Sequence, residues 1–327
     1  MSTALITGIT GQDGSYLAEL LLEKGYTVHG VVRRTSTLER SRLKDLFANA
    51  DIYGRRLFLH YADLEDTTTI RRVLIRSKPT ELYHLAGQSH VGLSFEMPEI
   101  TCDLTAMGTL RLLEMVRDIP EPPKLFHAST SEVFGKPLDF PQTEATPMNP
   151  VNPYGCAKAF ATQMVAIYRH TFGLFACNGI MYNHESPRRG ENFVTRKVCR
   201  AAANIKQGIQ QELLMGDIEA KRDWGDARDY VRGMWLMLQQ PQPGDYILAT
   251  GQLHSVREIL DVAFSSVGLN WQSYVRTDPR FLRLAEPSRL LGNPNKANTI
   301  LGWKPTSTFE NLIREMTLSE MRQGKAI

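Results

Sequence analysis

The sequence predicts an α/β fold in which a doubly wound parallel sheet carries a smaller, mixed α/β C-terminal unit. Two observations predict it. Short β-branched runs alternate with segments of helical periodicity through the first half of the chain, and the N-terminal run enters a glycine-spaced turn followed by an apolar helix. Such alternation puts helices on both faces of the sheet, because each parallel crossover needs room for one.

Taken in order, strands are expected at 4–7, 27–32, 57–61, 81–85, 124–128 and 174–181, with helices at 15–23, 68–76, 105–116 and 153–171. Beyond residue 183 the pattern loosens into a loop rich in Pro, Arg, Gly and Asn (183–192), then mixed helices and short strands. The expected division is therefore 1–182 and 183–327, with a return to the first unit around 224–250.

Composition excludes several classes. Over 327 residues, 42% are apolar and 22% charged, and 38 Lys+Arg against 35 Asp+Glu leave +3, which argues against disorder and against a nucleic-acid partner. The N-terminus has no basic leader and no apolar run approaches the roughly 18 residues of a membrane span, so a cytoplasmic protein is expected. Cys102, Cys156, Cys177 and Cys199 are scattered without a Cys-x-x-Cys pair, so neither a metal site nor a disulfide framework is expected.

The glycine loop carries the first chemistry. Gly8, Gly11 and Gly14 let the backbone turn tightly and approach a pyrophosphate, with Gln12 and Asp13 between them and a helix N-terminus behind. The spacing is G-x-x-G-x-x-G, the pattern of extended short-chain dehydrogenases/reductases, and the fold expected is of the Rossmann type. A carboxylate usually ends the second strand of an NAD site; here Arg33 and Arg34 stand there, and guanidiniums would bind a 2′-phosphate, so NADP is the expected cofactor. Asp63 and Leu64 after the third strand, and Leu85, Ala86, Gln88 and Ser89 after the fourth, fall where this fold contacts adenine and ribose. Asp63 alone could equally be a helix cap. His84 and His90 have no metal-ligand spacing and read as structural.

Asn152-Pro153 is a strong helix start, with Tyr154 and Lys158 following at i and i+4 on one face. Thr130, Ser131 and Glu132 follow the fifth strand and reach the same sheet edge. An ammonium about 4 Å from a phenol is worth on the order of 4 kcal/mol at a dielectric near 20, enough to draw the phenol towards use as a base. Thr130 would hold a hydroxyl whose proton Tyr154 takes while the adjacent carbon loses hydride. Simple oxidation needs no more, so Glu132 points further: beside a sugar whose C4 has become a ketone, a carboxylate can remove the acidified C5 proton and drive loss of the C6 hydroxyl.

The segments GITGQDGSYLAELLLEKGY, SHVGLSFEMPE, AMGTLRLLE, ASTSEVFG, NPYGCAK, CNGIMYNHESPRRGENFVTRK, KRDWGDARDYV and LGWKP run nearly end to end, and through them the chain resembles the GDP-mannose 4,6-dehydratase family. The resemblance implies Thr130, Glu132, Tyr154 and Lys158 as the active set, with Tyr154, Lys158, His184 and Arg189 touching the cofactor. It further implies Ser89, Ser131, Asn183, Asn192, Val194, Lys197, Arg222, Arg283 and Glu286 around a GDP-sugar, and a homo-tetramer in which residues 33–42 reach a neighbour's cofactor. Ile100 stands where many members have Tyr, Leu284 where Pro is usual, and the region 273–284 is shorter than in many relatives. A GDP-manno-heptose is thus an alternative sugar. Two other functions stay open: a UDP-glucuronate decarboxylase, and a non-catalytic NADP-binding sensor.

Overall fold

The computed structural model describes residues 2–33, 41–281 and 289–323. Seven strands form one parallel sheet. Its first six are β1 (Thr3–Thr7), β2 (Thr27–Val32), β3 (Leu57–Tyr61), β4 (Glu81–His84), β5 (Lys124–Thr130) and β6 (Ala176–Met181). The seventh, Asp245–Leu248, comes from the irregular half and closes the order Asp245–Leu248, β6, β5, β4, β1, β2, β3. The order reverses between β1 and β4, and in a doubly wound sheet ligands bind at that switch point, outside the strand carboxyl ends.

The interior strands are hydrophobic through their length because both faces are covered. Leu5 packs into a cluster with Leu82, Leu112 and Leu125, while Ala4 and Ile6 face the other way, towards Leu17, Val28 and Met234. A separate apolar cluster gathers Val198, Leu260, Phe264 and Ile313 from helices Val194–Lys206, Val256–Ser265 and Phe309–Gln323, with Trp271 from the turn Trp271–Ser273. Short strand pairs brace that part, such as Leu213–Met215 against Val275–Thr277.

Several expected boundaries move, and the moves matter for the site. β5 runs on to Thr130 rather than ending at 128, which fixes Thr130 in extended geometry at the sheet edge. β6 begins at Ala176 rather than 174. The helix expected at 105–116 is longer and irregular: Pro98–Cys102 leads through one π turn, Asp103–Met107, into Gly108–Arg117. The helix expected to start at Ser15 starts at Gln12, inside the glycine loop. The cap of helix Thr67–Ser77 is Asp66, whose side chain accepts from Thr69 N, and not Asp63. Among the described residues no helix is long and apolar enough to cross a membrane.

Candidate active site

The glycine turn is packed as closely as backbone allows. Gly8 has φ +77°, and a methyl group there would lie 2.9 Å from Ala86 N; one on Gly14 would lie 2.3 Å from Gly8 O. Helix Gln12–Glu23 begins at Gly11 with no side-chain cap. Its first amide groups are therefore the donors that a diphosphate would take, and the turn fits a dinucleotide on that ground. Leu85 and Ala86 are positioned by their backbone N–H groups, both donating to Thr7 Oγ1 at 3.2 Å.

The two residues between the glycines are held by the other half of the chain. Gln12 Nε2 donates to His184 O at 3.0 Å, and Ser186 Oγ donates to Gln12 Oε1 at 2.8 Å. Asp13 Oδ2 lies 2.8 Å from His184 Nε2. Although burial opposes ionisation of both, the Coulomb attraction and hydrogen bond between them outweigh it, lowering the Asp13 pKa and raising that of His184. Strand Asn183–Glu185 carries His184, and pairing with Trp224–Asp226 holds it in place. Arg188 extends the same junction, with one guanidinium nitrogen 3.1 Å from Ser15 Oγ and another 2.6 Å from Glu19. Ser186 and Arg188 escaped the sequence reading, which had no signal for contacts spanning some 170 positions.

Around Thr130 the expected cluster assembles. Helix Pro153–Phe172 starts at the N-cap Asn152, whose Oδ1 accepts from Gly155 N at 2.7 Å, with Pro153 at the first position. This start delivers Tyr154 to the neighbourhood of Thr130, whose hydroxyl acts to lower the phenol's pKa. Thr130 Oγ1 also accepts from Glu132 N at 3.3 Å. Glu132 and Tyr154 are each 8% exposed and Lys158 6%. The Glu132 carboxylate takes a hydrogen bond of 2.8 Å from Asn152 Nδ2, a contact that reading Asn152 as a cap alone overlooks.

Lys158 corrects one expectation. Its Nζ donates to the Ala128 carbonyl at 2.6 Å, and burial pushes its pKa down to about 8. Tyr154 is pushed up to about 12 by burial, against the opposing hydrogen bond from Thr130 and the charge of Arg189. Desolvation thus exceeds the attraction expected from the ammonium. Behind Lys158, burial foremost and the ammonium second drive His84 to about 3 and His127 well down, so both are neutral near pH 7. His84 sits between Thr7 Oγ1 (2.8 Å) and Thr109 Oγ1 (3.1 Å), and His90 caps helix Val91–Glu96.

The remaining expected contacts are more dispersed. Leu64 is a core side chain, packed where a methyl on Gly108 would meet its Cβ at 3.2 Å. Asp63 is half-buried, and the Gln88 amide donates to His90 O at 2.9 Å. Ser89 and Asn192 are exposed, Asn183 and Val194 half-buried, and Ser131 buried. Lys197 Nζ donates to Leu214 O at 2.8 Å and lies over the Phe281 ring, and Arg222 is buried with one guanidinium N–H on Lys221 O. Arg189 stacks on the Phe193 ring 3.5 Å away and pairs with Glu185 at 3.0 Å. Arg33, the residue after β2, is exposed, whereas Arg34, Arg283, Leu284 and Glu286 lie outside the described residues. No group of three or more metal-ligating side chains occurs among the described residues.

Known proteins resemble this chain over nearly its whole length. A family model described as GDP-mannose 4,6 dehydratase matches residues 5–316. The chain is 50% identical over 327 residues to GDP-mannose 4,6 dehydratase 1 of Arabidopsis thaliana, covering 98% of this chain and 90% of that one. It is 46% identical over 354 aligned residues to GDP-mannose 4,6-dehydratase of Yersinia enterocolitica, covering 99% and 95%. Among solved structures it is similar to DesIV, a dTDP-glucose 4,6-dehydratase from Streptomyces venezuelae with NAD and TYD bound, at TM-score 0.86 and 25% identity over 99% and 98% of the chains. RMD from Pseudomonas aeruginosa complexed with NADPH shares the fold at TM-score 0.80 and 23% identity, over 98% and 100%. With a family model spanning most of its length and relatives near half identity, the chain belongs to the GDP-mannose 4,6-dehydratase family.

Proposed function

We propose that the protein converts GDP-mannose to GDP-4-keto-6-deoxy-mannose and water, with Thr130, Glu132, Tyr154 and Lys158 as the working set. The observation that carries this reading is a buried carboxylate, Glu132, on the turn that follows Thr130 at the carboxyl edge of the sheet and hydrogen-bonded to Asn152, the cap of the helix that carries Tyr154. An alcohol dehydrogenase has no use for it. Family membership favours the same reaction over decarboxylation of UDP-glucuronate.

Thr130 orients the C4 hydroxyl and Tyr154 accepts its proton. A nicotinamide dinucleotide held at the turn of Gly8, Gly11 and Gly14 would supply the hydride chemistry, oxidation at C4 and reduction at C6. Between those events Glu132 removes the C5 proton, made acidic by the C4 ketone, and passes it to the departing C6 hydroxyl, which leaves as water. Tyr154 then returns its proton at C5, so the balance is the loss of one water. Lys158, held on the Ala128 carbonyl, keeps a positive charge near the phenol as it ionises.

A nicotinamide dinucleotide is supported by the fitted glycine turn and by solved relatives that carry NAD or NADPH. NADP is the form we favour, because Arg33 directly follows β2, where an NAD site places a carboxylate. The GDP group is assigned to the face formed by Asn183, Asn192, Val194, Lys197 and Arg222, and 183–327 to the substrate unit. A homo-tetramer is supported by apolar side chains left in the open on two neighbouring helices, Ile100 (39% exposed), Phe160 (40%), Ile167 (47%) and Phe172 (45%).

Incubation with GDP-mannose and NADP tests the reading. The expected product is the 4-keto-6-deoxy sugar with no net NADPH, and Tyr154→Phe is expected to lower turnover by about 100-fold or more. Accumulating NADPH, or carbon dioxide released from UDP-glucuronate, would overturn it. A sensor would be unaffected by Tyr154→Phe.

A further inference from the structure

We propose that Asn152 is a positioning residue for Glu132: its side-chain amide orients the carboxylate, with one oxygen occupied and the other left for the C5 proton. The inference rests on the reading of Glu132 as the C5 base.

The orientation of the amide follows from its two contacts. Oδ1 accepts from Gly155 N at 2.7 Å, so Nδ2 must face the other way, where it meets Glu132 Oε2 at 2.8 Å. Turning the amide over would set its NH2 against a backbone N–H and its carbonyl against a carboxylate, losing both bonds at once. Asn152 is 3% exposed, so water cannot readily substitute for either partner. An NH2 group donates and cannot accept. A proton on Oε2 would therefore face a donor, whereas a proton arriving on Oε1 leaves the contact intact. The amide thus selects the oxygen that takes the proton, and it aims the carboxylate.

Residue type strengthens the argument. Asp, Ser and Thr cap helices about as well as Asn, but Asp would repel Glu132, and a single short hydroxyl is a poor substitute for an acceptor and a donor pointing opposite ways. Asn152 also begins the helix that carries Tyr154 and Lys158, so the C5 base and the phenol share one mount. Gly155 completes it. A methyl there would sit 2.7 Å from Glu132 O and 3.3 Å from Asn152 Oδ1, so the helix start can lie against Glu132 only with glycine at that position.

The NADP-loaded enzyme with GDP-mannose tests this through Asn152→Ser, which keeps a cap and removes the donor, and Asn152→Asp, which keeps the cap and adds a charge. For Asn152→Ser, kcat is expected to fall about 10- to 100-fold with KM within about twofold. Its single-turnover NADPH signal should persist, because C4 oxidation continues while elimination slows, and deuterium uptake at C5 from heavy water should slow in parallel. For Asn152→Asp, the acid limb of the kcat profile should move to higher pH, since two adjacent carboxylates do not both ionise easily. Wild-type kcat and an unchanged profile in both variants would overturn the proposal. So would equal loss of C4 oxidation and dehydration in Asn152→Ser, which would mark a cap and nothing more. A wild-type enzyme that makes no 4-keto-6-deoxy sugar would overturn the dehydratase reading together with the proposal, whereas a productive wild type beside an unaffected Asn152→Ser overturns the proposal alone.

Discussion

His184 has an acceptor against each ring nitrogen, the Asp13 carboxylate at 2.8 Å and the Tyr182 carbonyl at 2.8 Å, so both nitrogens carry protons when both contacts are made. A stacked Tyr230 ring, 4.5 Å away, supports the cation from one face. The pH dependence has a definite sign on each side. His184 is raised above its ordinary 6.5, so its contribution to stability is complete below 6.5 and disappears as pH rises through the raised value. Asp13 is lowered below its ordinary 3.8, so its contribution is complete above 3.8 and disappears as pH falls through the lowered value. The pair therefore contributes most between those limits. We expect His184→Gln to cost about 3 kcal/mol near pH 5.5, with the difference from wild type shrinking as pH climbs past His184's raised value. Urea unfolding of both proteins at several pH values measures it, and a pH-independent difference would show that His184 acts as a neutral ring.

Between sequence and site, legibility followed the range of the contact. Tyr154 and Lys158 were readable because a helical turn alone sets their relation, and the helix start at Asn152-Pro153 is written in two adjacent residues. The first six strands were readable because βα alternation repeats a local pattern. The seventh strand, Asp245–Leu248, pairs with β6 across more than 60 positions, and the Asp13–His184 and Asn152–Glu132 contacts join polar groups whose spacing in the chain signals nothing. The Tyr154–Lys158 electrostatics were misjudged for a different reason: desolvation depends on the depth at which an element ends, which periodicity does not encode. The glycine turn is the opposite case, a local motif with a sharp structural demand. At Gly14 an added methyl meets Gly8 O at 2.3 Å and Ile9 Cα at 2.6 Å, both backbone, so neither can rotate away. Gly14→Ala is expected to cost about 3 kcal/mol and to weaken NADP binding well beyond that of a folded control, as read by calorimetric titration. Unchanged affinity would show that the turn is not the dinucleotide cradle.

At the scale of the whole molecule, the sheet-centred core and the second apolar cluster are joined by a short stretch of chain after helix Asn295–Leu301. Trp303 is buried in the first core and its indole donates to Asp229 O at 2.7 Å. Three residues on, Thr306 N and Oγ1 both donate to the Asp229 carboxylate at 2.6 Å, and the chain then enters helix Phe309–Gln323, whose Leu312 and Ile313 pack in the second cluster. Arg228, beside Asp229 on helix Ala227–Leu238, reaches the same C-terminal helix through Glu315 at 2.6 Å. Partly exposed, that ion pair is a weak tether; the buried indole and the fully satisfied Asp229 are the stronger one. A site assembled from both parts needs them to stay in register, so loosening this joint should be felt in both cores. Trp303→Ala is expected to destabilise the protein by about 3–5 kcal/mol in a single transition, with the slope against urea unchanged. Of the three tryptophans this variant keeps, Trp224 and Trp271 lie in the second cluster and Trp235 packs on the first, so in a Trp235→Phe background fluorescence reports the second core while far-ultraviolet circular dichroism reports the whole chain. Both signals should shift together to lower urea. A fluorescence transition left at its wild-type midpoint, while dichroism moves, would show that the two cores unfold independently and that this joint does not couple them.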